Sequence, residues 1–217
     1  MRPCATTLES ELSMAELDYL LTTIKSHRFS GKHLEIGTAA GGTLWQMLRC
    51  FEEGQQPPFV VIDPMKYFPD QFEKVQNNLR DHDVDPSQVD FRVTTSAEAF
   101  YQAENSGETF DFIFIDGAHK IRYVTEDLRW SRLLNVGGIL ILHDYAPKFP
   151  GVQIPVSRFL KKCKNYQILG QAETLIAIQK TKKSPSPEVT PFDRAYSLAL
   201  TPILQWKASM KKKKVGE

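Results

Sequence analysis

The sequence predicts an α/β fold of the doubly wound type, on three observations. Short apolar strands alternate with amphipathic helical patterns along the chain, which favours a parallel sheet with helices on both faces. Apolar runs such as residues 59–62 show no polar alternation, as expected of strands that are covered on both sides. The last two strand patterns have almost no connection between them and must therefore be antiparallel.

Each element is justified by its apolar period or by its flanking residues. The predicted strands cover residues 33–36, 59–63, 89–93, 110–116, 138–144, 166–170 and 173–179. The predicted helices cover residues 8–26, the segment from the glycine cluster to about Glu53, and residues 68–80, 96–103, 124–134 and 156–162. Asn135 and the Gly137-Gly138 pair are expected to stop the fifth helix, and a polar Gly-Gln-Ala turn is expected to join the last two strands.

Composition excludes several classes of protein. The 217 residues suit one compact domain with an appendage, and a net charge of +1 gives no reason to expect nucleic acid as a partner. Cys4, Cys50 and Cys163 are odd in number and far apart, which argues against a disulfide framework or a structural zinc site. There is neither a signal peptide nor a transmembrane run of ~20 apolar residues, so we expect a cytoplasmic protein.

The chain divides by composition into three parts. Residues 1–180 form the predicted α/β domain, residues 181–191 a linker rich in Pro, Ser and Lys, and residues 192–217 an amphipathic tail with a lysine cluster at Lys211–Lys214. The tail could dock on a second subunit, fold back over the substrate pocket, lie on an anionic membrane surface or be mobile. Pro202 is expected to kink or interrupt a helix there, which weakens the membrane alternative.

The first strand-to-helix turn, "EIGTAAGG", is the predicted ligand cradle. Ligands of an open parallel sheet bind beyond the carboxyl ends of the strands, and small residues there let the backbone approach a ligand closely. The turn contains Glu35, Gly37, Thr38 and Gly41 but has neither the GxGxxG spacing of a dinucleotide fold nor a P-loop lysine. Asp63 ends the next strand, where its carboxylate can accept hydrogen bonds from both hydroxyls of a ribose. The pair predicts an adenosine-containing cofactor.

The motifs "LEIGTAAGGT", "VVID" and "FDFIFIDGAH…LLNVGGILILHDY" resemble, in order and spacing, those of class I S-adenosylmethionine-dependent methyltransferases. Within that class they resemble the small-molecule O-methyltransferases of the catechol and macrolide-sugar type, over about residues 10 to 180. The resemblance implies a Rossmann-like seven-stranded sheet with one reversed strand. It also implies that Glu35 and Gly37 hold the methionine end of the cofactor, that Asp63 binds the ribose, and that Ser96 and Ala97 lie along the adenine.

Two further strand ends carry residues suited to methyl transfer. Asp116 follows the fourth strand, and His143-Asp144 follows the fifth, so these side chains should meet at one edge of the sheet. Carboxylates there can bind Mg²⁺, which lowers the pKa of an acceptor hydroxyl. The metal-dependent O-methyltransferases carry Asp-Asp or Asp-Asn at the second position. His143 therefore indicates either a softer ion such as Mn²⁺ or no catalytic metal.

His119, three residues after Asp116, is the candidate general base, because the resembling enzymes carry Lys or His there and a histidine titrates near neutral pH. It could instead be a locally hydrogen-bonded histidine. Tyr145 could line the acceptor pocket or simply pack.

Three functions remain open on the sequence. The favoured one is transfer of a methyl group to a hydroxyl of a small molecule. The others are a metal-independent methyltransferase of nucleic acid or protein, and a non-catalytic protein that binds S-adenosylmethionine. The joint presence of Asp116, His119 and Asp144 favours the first.

Overall fold

The computed structural model describes residue 8, residues 10–52 and residues 54–215. The strands are β1 Lys32–Ile36, β2 Phe59–Ile62, β3 Val89–Arg92, β4 Phe110–Ile115, β5 Leu134–Leu142, β6 Tyr166–Ala172 and β7 Leu175–Lys180. The helices are α1 Met14–Ser26, α2 Gly42–Leu48, α3 Gln71–Arg80, α4 Ser96–Ser106, α5 Ile121–Asp127, α6 Pro150–Lys162 and α7 Pro191–Val215. Two 3₁₀ turns cover Pro86–Gln88 and Leu128–Leu133.

The seven strands form one sheet in the order β3-β2-β1-β4-β5-β7-β6. Strands β1 to β5 run parallel to one another, and β7 runs antiparallel to both of its neighbours, β5 and β6. The prediction of a doubly wound, mostly parallel sheet with one reversed strand is therefore confirmed. The strand order reverses between β1 and β4, which makes their carboxyl ends the expected binding crevice.

Successive residues of the central strands enter two hydrophobic cores, one on each face of the sheet. Ile113 and Ile115 of β4 belong to one core, and Phe112 and Phe114 belong to the other. All four are almost completely buried. Full burial of such a side chain stabilises the folded protein by about 1.5–3 kcal/mol. The unbroken apolar runs in the sequence are explained by this two-sided cover.

The helix predicted from residue 8 begins instead at Met14. Ser13 caps α1 through a reciprocal pair of hydrogen bonds, in which the Ser13 hydroxyl accepts from Glu16 N and the Glu16 carboxylate accepts from Ser13 N. At the other side of the crevice, α2 ends at Leu48. The helix is therefore shorter than the predicted segment to about Glu53, because residues 49–52 are no longer helical. Glu53 itself and Cys4 lie outside the described residues.

The predicted helix stop at Asn135 is wrong. Strand β5 already begins at Leu134 and contains Asn135, Gly137 and Gly138. The Asn135 amide donates to the Asp111 carboxylate at 2.7 Å, and a Cβ on Gly138 would lie 2.9 Å from the Asp111 carbonyl oxygen. These residues therefore serve the close pairing of β5 with β4 and do not act as a helix cap.

Helix α6 and strand β6 are among the other elements whose bounds differ from the prediction. Helix α6 begins at Pro150, with Pro155 inside it, because proline is well suited to the first turn, where no backbone N–H is needed. Strand β6 extends through Ala172, so the turn to β7 falls at Glu173 and Thr174.

Helix α7 continues through Pro202, and its first turns pack on α5 and α6. The Asp193 carboxylate accepts hydrogen bonds from Arg158 and Lys162, and Arg194 pairs with Glu126 of α5. The side chains of the lysine cluster lie outside the described residues. No helix in the described part of the chain is long and apolar enough to cross a membrane.

Candidate active site

The crevice lies where β1 and β4 end side by side. The Asp116 amide donates to the Ile36 carbonyl at 2.9 Å, and Gly37 follows with a φ of +85°. A Cβ at Gly37 would lie 2.4 Å from the Asp116 carbonyl oxygen. Only glycine combines this backbone conformation with so close an approach, which explains the first glycine of the turn.

A cavity of about 1020 Å³ opens from this point along the carboxyl edge of the sheet. Its volume is at the upper end of the usual range for small-ligand sites. Helix α7 forms part of its wall through Arg194, Ser197 and Leu198. Six of the residues that the sequence singled out line it: Gly37, Asp63, Ser96, Ala97, Asp116 and His119.

Glu35 lines a smaller niche that continues from the cavity and shares Gly37 and Asp116 with it. The Glu35 side chain is completely buried, and neither of its carboxylate oxygens has a hydrogen-bond partner among the described residues. Burial raises its pKa well above the usual value, against an opposing interaction with the neighbouring Thr38 hydroxyl. Buried carboxyl groups with so few partners are rare in native proteins, and a ligand in the niche could supply a donor to this one.

Asp63 is buried at the end of β2, and the backbone fixes its carboxylate. One oxygen accepts from Thr38 N in the glycine turn at 3.0 Å, and the other accepts from Met65 N at 2.6 Å. Thr38 also lines the niche beside Glu35. Gly41 adopts a φ of +87° at the start of α2 but does not line either space, so its predicted binding role stays a prediction.

The far end of the cavity contains a buried acid that sequence reasoning missed. The Ser96 hydroxyl accepts from Trp130 Nε1 at 2.9 Å and bonds with Asp127, the last residue of α5. Asp127 lines the cavity, and burial raises its pKa to about 7. In the sequence it is one polar residue within a helical pattern, which gives no signal of its position.

The four titratable residues predicted from the strand ends come together. Asp116 Oδ1 lies 2.9 Å from His143 Nδ1 and 3.9 Å from His119 Nε2. Asp144 Oδ2 lies 3.1 Å from His119 Nε2. Asp144 has a φ of +59°, a left-handed backbone conformation that aspartate tolerates better than most residues.

These contacts shift the pKa of each group in the cluster. Burial acts to raise the pKa of Asp116, but bonds to His119 and His143 lower it to about 2. Burial acts to lower the pKa of His143, yet the Asp116 carboxylate raises it to about 9. The carboxylates of Asp116 and Asp144 raise the pKa of His119.

Glu16 of α1 is the second residue that sequence reasoning missed. One of its carboxylate oxygens lies 3.4 Å from His143 Nε2. Burial opposes ionisation of Glu16, but hydrogen bonds from Thr174 and Ser13 lower its pKa to about 2. The Ser-x-x-Glu pattern in the sequence indicates only a helix cap. The contact between Glu16 and His143, which directly follows β5, could therefore not be predicted.

Two of the remaining predictions concern a metal and Tyr145. Asp116, His143 and Asp144 each offer a ligand atom, and these atoms lie within 4.8 Å of one another. The Tyr145 hydroxyl shares a hydrogen bond with Ser157, and its ring packs on the core. Tyr145 does not line the cavity, which agrees with the packing alternative.

The reversed strand, the glycine turn and the acid-lined crevice define the protein as a class I methyltransferase fold. A family model described as a methyltransferase domain matches residues 34–145, just over half of the chain. The chain belongs to this methyltransferase family. No curated protein matches it.

Several solved structures share the fold. The O-methyltransferase NovP has a TM-score of 0.67 and 17% identity, over 80% of this chain and 83% of that one. An O-methyltransferase from Bacillus cereus, solved with S-adenosylhomocysteine, has a TM-score of 0.61 and 18% identity over 78% and 83%. The O-methyltransferase TomG from Streptomyces achromogenes, solved with S-adenosylmethionine, has a TM-score of 0.59 and 18% identity over 79% and 82%. At these identities the likeness shows the fold.

Proposed function

We propose that this protein transfers a methyl group from S-adenosylmethionine to a hydroxyl group of a small molecule, with His119 as general base. The observation that carries the proposal is the buried, unpartnered carboxylate of Glu35, which shares one crevice with Asp63 and His119. An isolated carboxylate in that position suits the α-ammonium group of the methionine moiety. When bound, S-adenosylmethionine supplies an electrophilic methyl group on a sulfonium.

The residues along the cavity suit the rest of the cofactor in the order that its structure requires. Gly37 and Thr38 leave room beside Glu35 for the amino-acid end. The fixed carboxylate of Asp63 accepts hydrogen bonds from the ribose hydroxyls. Ser96 and Ala97 line the far end, where the adenine would lie in this arrangement, with Asp127 beside Ser96.

His119 can accept the proton of the acceptor hydroxyl. Its Nε2 lies 3.1 Å from the Asp144 carboxylate. When Nε2 carries the ring hydrogen and donates it in a hydrogen bond to the Asp144 carboxylate, Nδ1 keeps the lone pair that can accept a proton. His119 would take the proton as the acceptor oxygen forms the new C–O bond, and the electron pair of the broken C–S bond would stay on sulfur. The products are the methyl ether and S-adenosylhomocysteine, and His119 then releases its proton to solvent.

A small acceptor molecule is supported by the size of the cavity and by the activities for which structurally similar proteins are named. The cavity of about 1020 Å³ has room for a cofactor and a second small molecule. Besides the O-methyltransferases above, the similar structures include CalS11, a TDP-rhamnose 3'-O-methyltransferase, with a TM-score of 0.56 and 17% identity. We infer a hydroxylated metabolite, such as a sugar or a phenol, as the acceptor class. The homodimer and membrane contacts of the tail stay predictions.

A divalent cation was the second predicted means of activating the acceptor. The separations among Asp116, His143 and Asp144 would allow one ion to be shared. Mg²⁺ or Mn²⁺ bound there would lower the pKa of an acceptor hydroxyl. Whether the acceptor hydroxyl is activated by His119 alone or also by a cation depends on whether His143 has a nitrogen free to bind a metal.

A methyl-transfer assay tests the proposal. Purified protein is incubated with S-adenosylmethionine labelled in the methyl group and with panels of sugars, catechols and other phenols, and in parallel with RNA and protein substrates. We expect transfer to one of the small hydroxyl compounds, with His119→Ala lowering kcat about 10²–10⁴-fold. The matched control is His82→Ala, which replaces an exposed histidine away from the crevice. Transfer to RNA or protein alone, or equal kcat in His119→Ala, would overturn the assignment.

A further inference from the structure

The far end of the cavity, where Ser96 and Ala97 begin α4, offers a ligand hydrogen-bond donors rather than acceptors. The first backbone N–H groups of a helix have no intrahelical partner and can donate to the ring nitrogens of a purine. Ala97 has no polar side chain. The hydroxyl of Thr95, which also lines the cavity, donates to the Glu98 carboxylate at 2.7 Å and accepts from Glu98 N at 3.3 Å. A purine amino group directed here therefore needs an acceptor from another element.

Asp127 of α5 provides that acceptor. The Ser96 hydroxyl is engaged on both sides, because it accepts from Trp130 Nε1 at 2.9 Å and donates to the Asp127 carboxylate. Asp127 is 4% exposed and lines the cavity. Each carboxylate oxygen can accept two hydrogen bonds, so the bond from Ser96 leaves Asp127 with acceptor capacity for a ligand.

The position of the carboxylate separates Asp127 from its neighbour Glu126, which lines the same cavity. A Cβ on Gly117, at the tip of β4, would lie 3.6 Å from Asp127 Oδ2. The carboxylate thus lies between the tip of β4 and the first turn of α4. Both oxygens of Glu126 are paired with arginines, since Oε1 accepts from Arg194 Nε at 2.5 Å and Oε2 accepts from Arg129 at 2.9 Å. Of these two acids of α5, Asp127 is therefore the one suited to a ligand.

We propose that Asp127 is a specificity-determining residue that accepts a hydrogen bond from the 6-amino group of the adenine ring, so that the site selects adenine over purines without this donor. The proposal rests on the proposed function and extends it from the ribose to the base. A 6-carbonyl group, as in hypoxanthine, presents an oxygen to the carboxylate, and the two oxygens repel each other. A site that accepts from an N–H group rejects the analogue that lacks it, because the buried acceptor is left unpaired.

Calorimetric titration of the full chain with S-adenosylhomocysteine and with S-inosylhomocysteine, its 6-carbonyl analogue, tests the proposal. We expect the wild type to bind the adenosyl compound on the order of 10–100-fold more tightly, as a hydrogen bond to a charged group commonly provides. Asp127→Ala should remove most of this preference by weakening adenosyl binding. Asp127→Asn has an amide that can donate to the 6-carbonyl oxygen, so it should bind the inosyl compound more tightly than the wild type does.

Glu126→Gln is the matched control, because it changes the neighbouring acid of the same helix and cavity and should keep the wild-type preference for adenine. Thermal unfolding of each variant checks that it is folded, and Asp127→Asn, which keeps the size of the side chain, remains informative if Asp127→Ala unfolds. Equal binding of the two compounds by the wild type would overturn the proposal. The same result follows if both Asp127 variants keep the wild-type preference while losing affinity for both compounds, which is the outcome of a purely structural role.

A wild type that binds neither compound would overturn the proposed function itself, and this proposal with it. A wild type that binds both equally would overturn the role of Asp127 alone. The two failures are therefore distinguished by the same titrations.

Discussion

At the scale of single residues, a fully buried carboxyl group and a partly buried one have opposite roles. Glu35 has no partner among the described residues, whereas Glu108 is paired with Lys32 and Arg92. A buried carboxyl group without sufficient partners lowers stability, whereas the protein is destabilised when the charge of a paired carboxylate is removed. The contrast supports the proposed role of Glu35 in binding the ligand.

Glu35→Gln should therefore raise the thermal unfolding temperature of the free protein by a few degrees, because it removes a desolvated carboxyl group. The same substitution should weaken S-adenosylhomocysteine binding by about tenfold or more, which is about 1.4 kcal/mol. Differential scanning fluorimetry and calorimetry measure the two effects. Glu108→Gln, the control, should lower the unfolding temperature and leave ligand affinity alone. A less stable Glu35→Gln protein with unchanged affinity would contradict this role.

His33 is buried in an aromatic cluster and should make stability depend on pH. Burial lowers its pKa to about 3, and neither ring nitrogen has a partner among the described residues. The unfolded chain binds a proton near pH 6.5 that the folded chain binds only near pH 3, so stability falls as the pH drops through that range. At pH 5 this contribution amounts to about 2 kcal/mol.

His33→Leu should remove that loss. Urea denaturation at pH 7 and pH 5 measures the free energy of unfolding of both proteins, and the difference between the two pH values should be about 2 kcal/mol smaller in the variant. His82→Leu, at an exposed histidine, should keep the wild-type pH dependence. Equal pH dependence in the wild type and His33→Leu would show that His33 is not buried neutral.

At the scale of elements, the start of α6 positions the loop that carries His119. A Cβ at Gly151 would lie 2.1 Å from the His119 carbonyl oxygen and 3.2 Å from Ile121 N. Helix and loop can approach so closely only because residue 151 has no side chain. The predicted helix began later, at Val156, and so gave no reason to connect α6 with the candidate base.

Gly151→Ala should displace the His119 loop and lower kcat by about 10²-fold, while binding of S-adenosylhomocysteine stays within a factor of a few. Steady-state kinetics with the acceptor from the assay above, together with calorimetry, separates the two effects. Gly107→Ala is the control, since a side chain at its φ of +70° strains the backbone but meets no neighbour within 4 Å. A full retention of kcat in Gly151→Ala would show that the loop's position is not set by this contact.

At the scale of the whole molecule, the parts that could be predicted are those with a local sequence signal. The alternation of strands and helices, the glycine turn with Asp63, and the strand-end residues Asp116 and His119 follow from position along a parallel sheet. The position of Glu16 could not be predicted, because its carboxylate is held by Thr174, 158 residues away. The tail shows the same limit, since Arg194 lines the cavity only because α7 packs on α5.

The proposed function depends most on whether the crevice binds S-adenosylmethionine and S-adenosylhomocysteine. Calorimetric titration of the purified protein with S-adenosylhomocysteine, repeated with Asp63→Ala, tests this most directly. We expect one site per chain, and at ~100 times the dissociation constant a stabilisation of about 2.7 kcal/mol against unfolding. Asp63→Ala should lose most of this binding while remaining folded. No binding to the wild type, or equal binding to Asp63→Ala, would contradict the central claim.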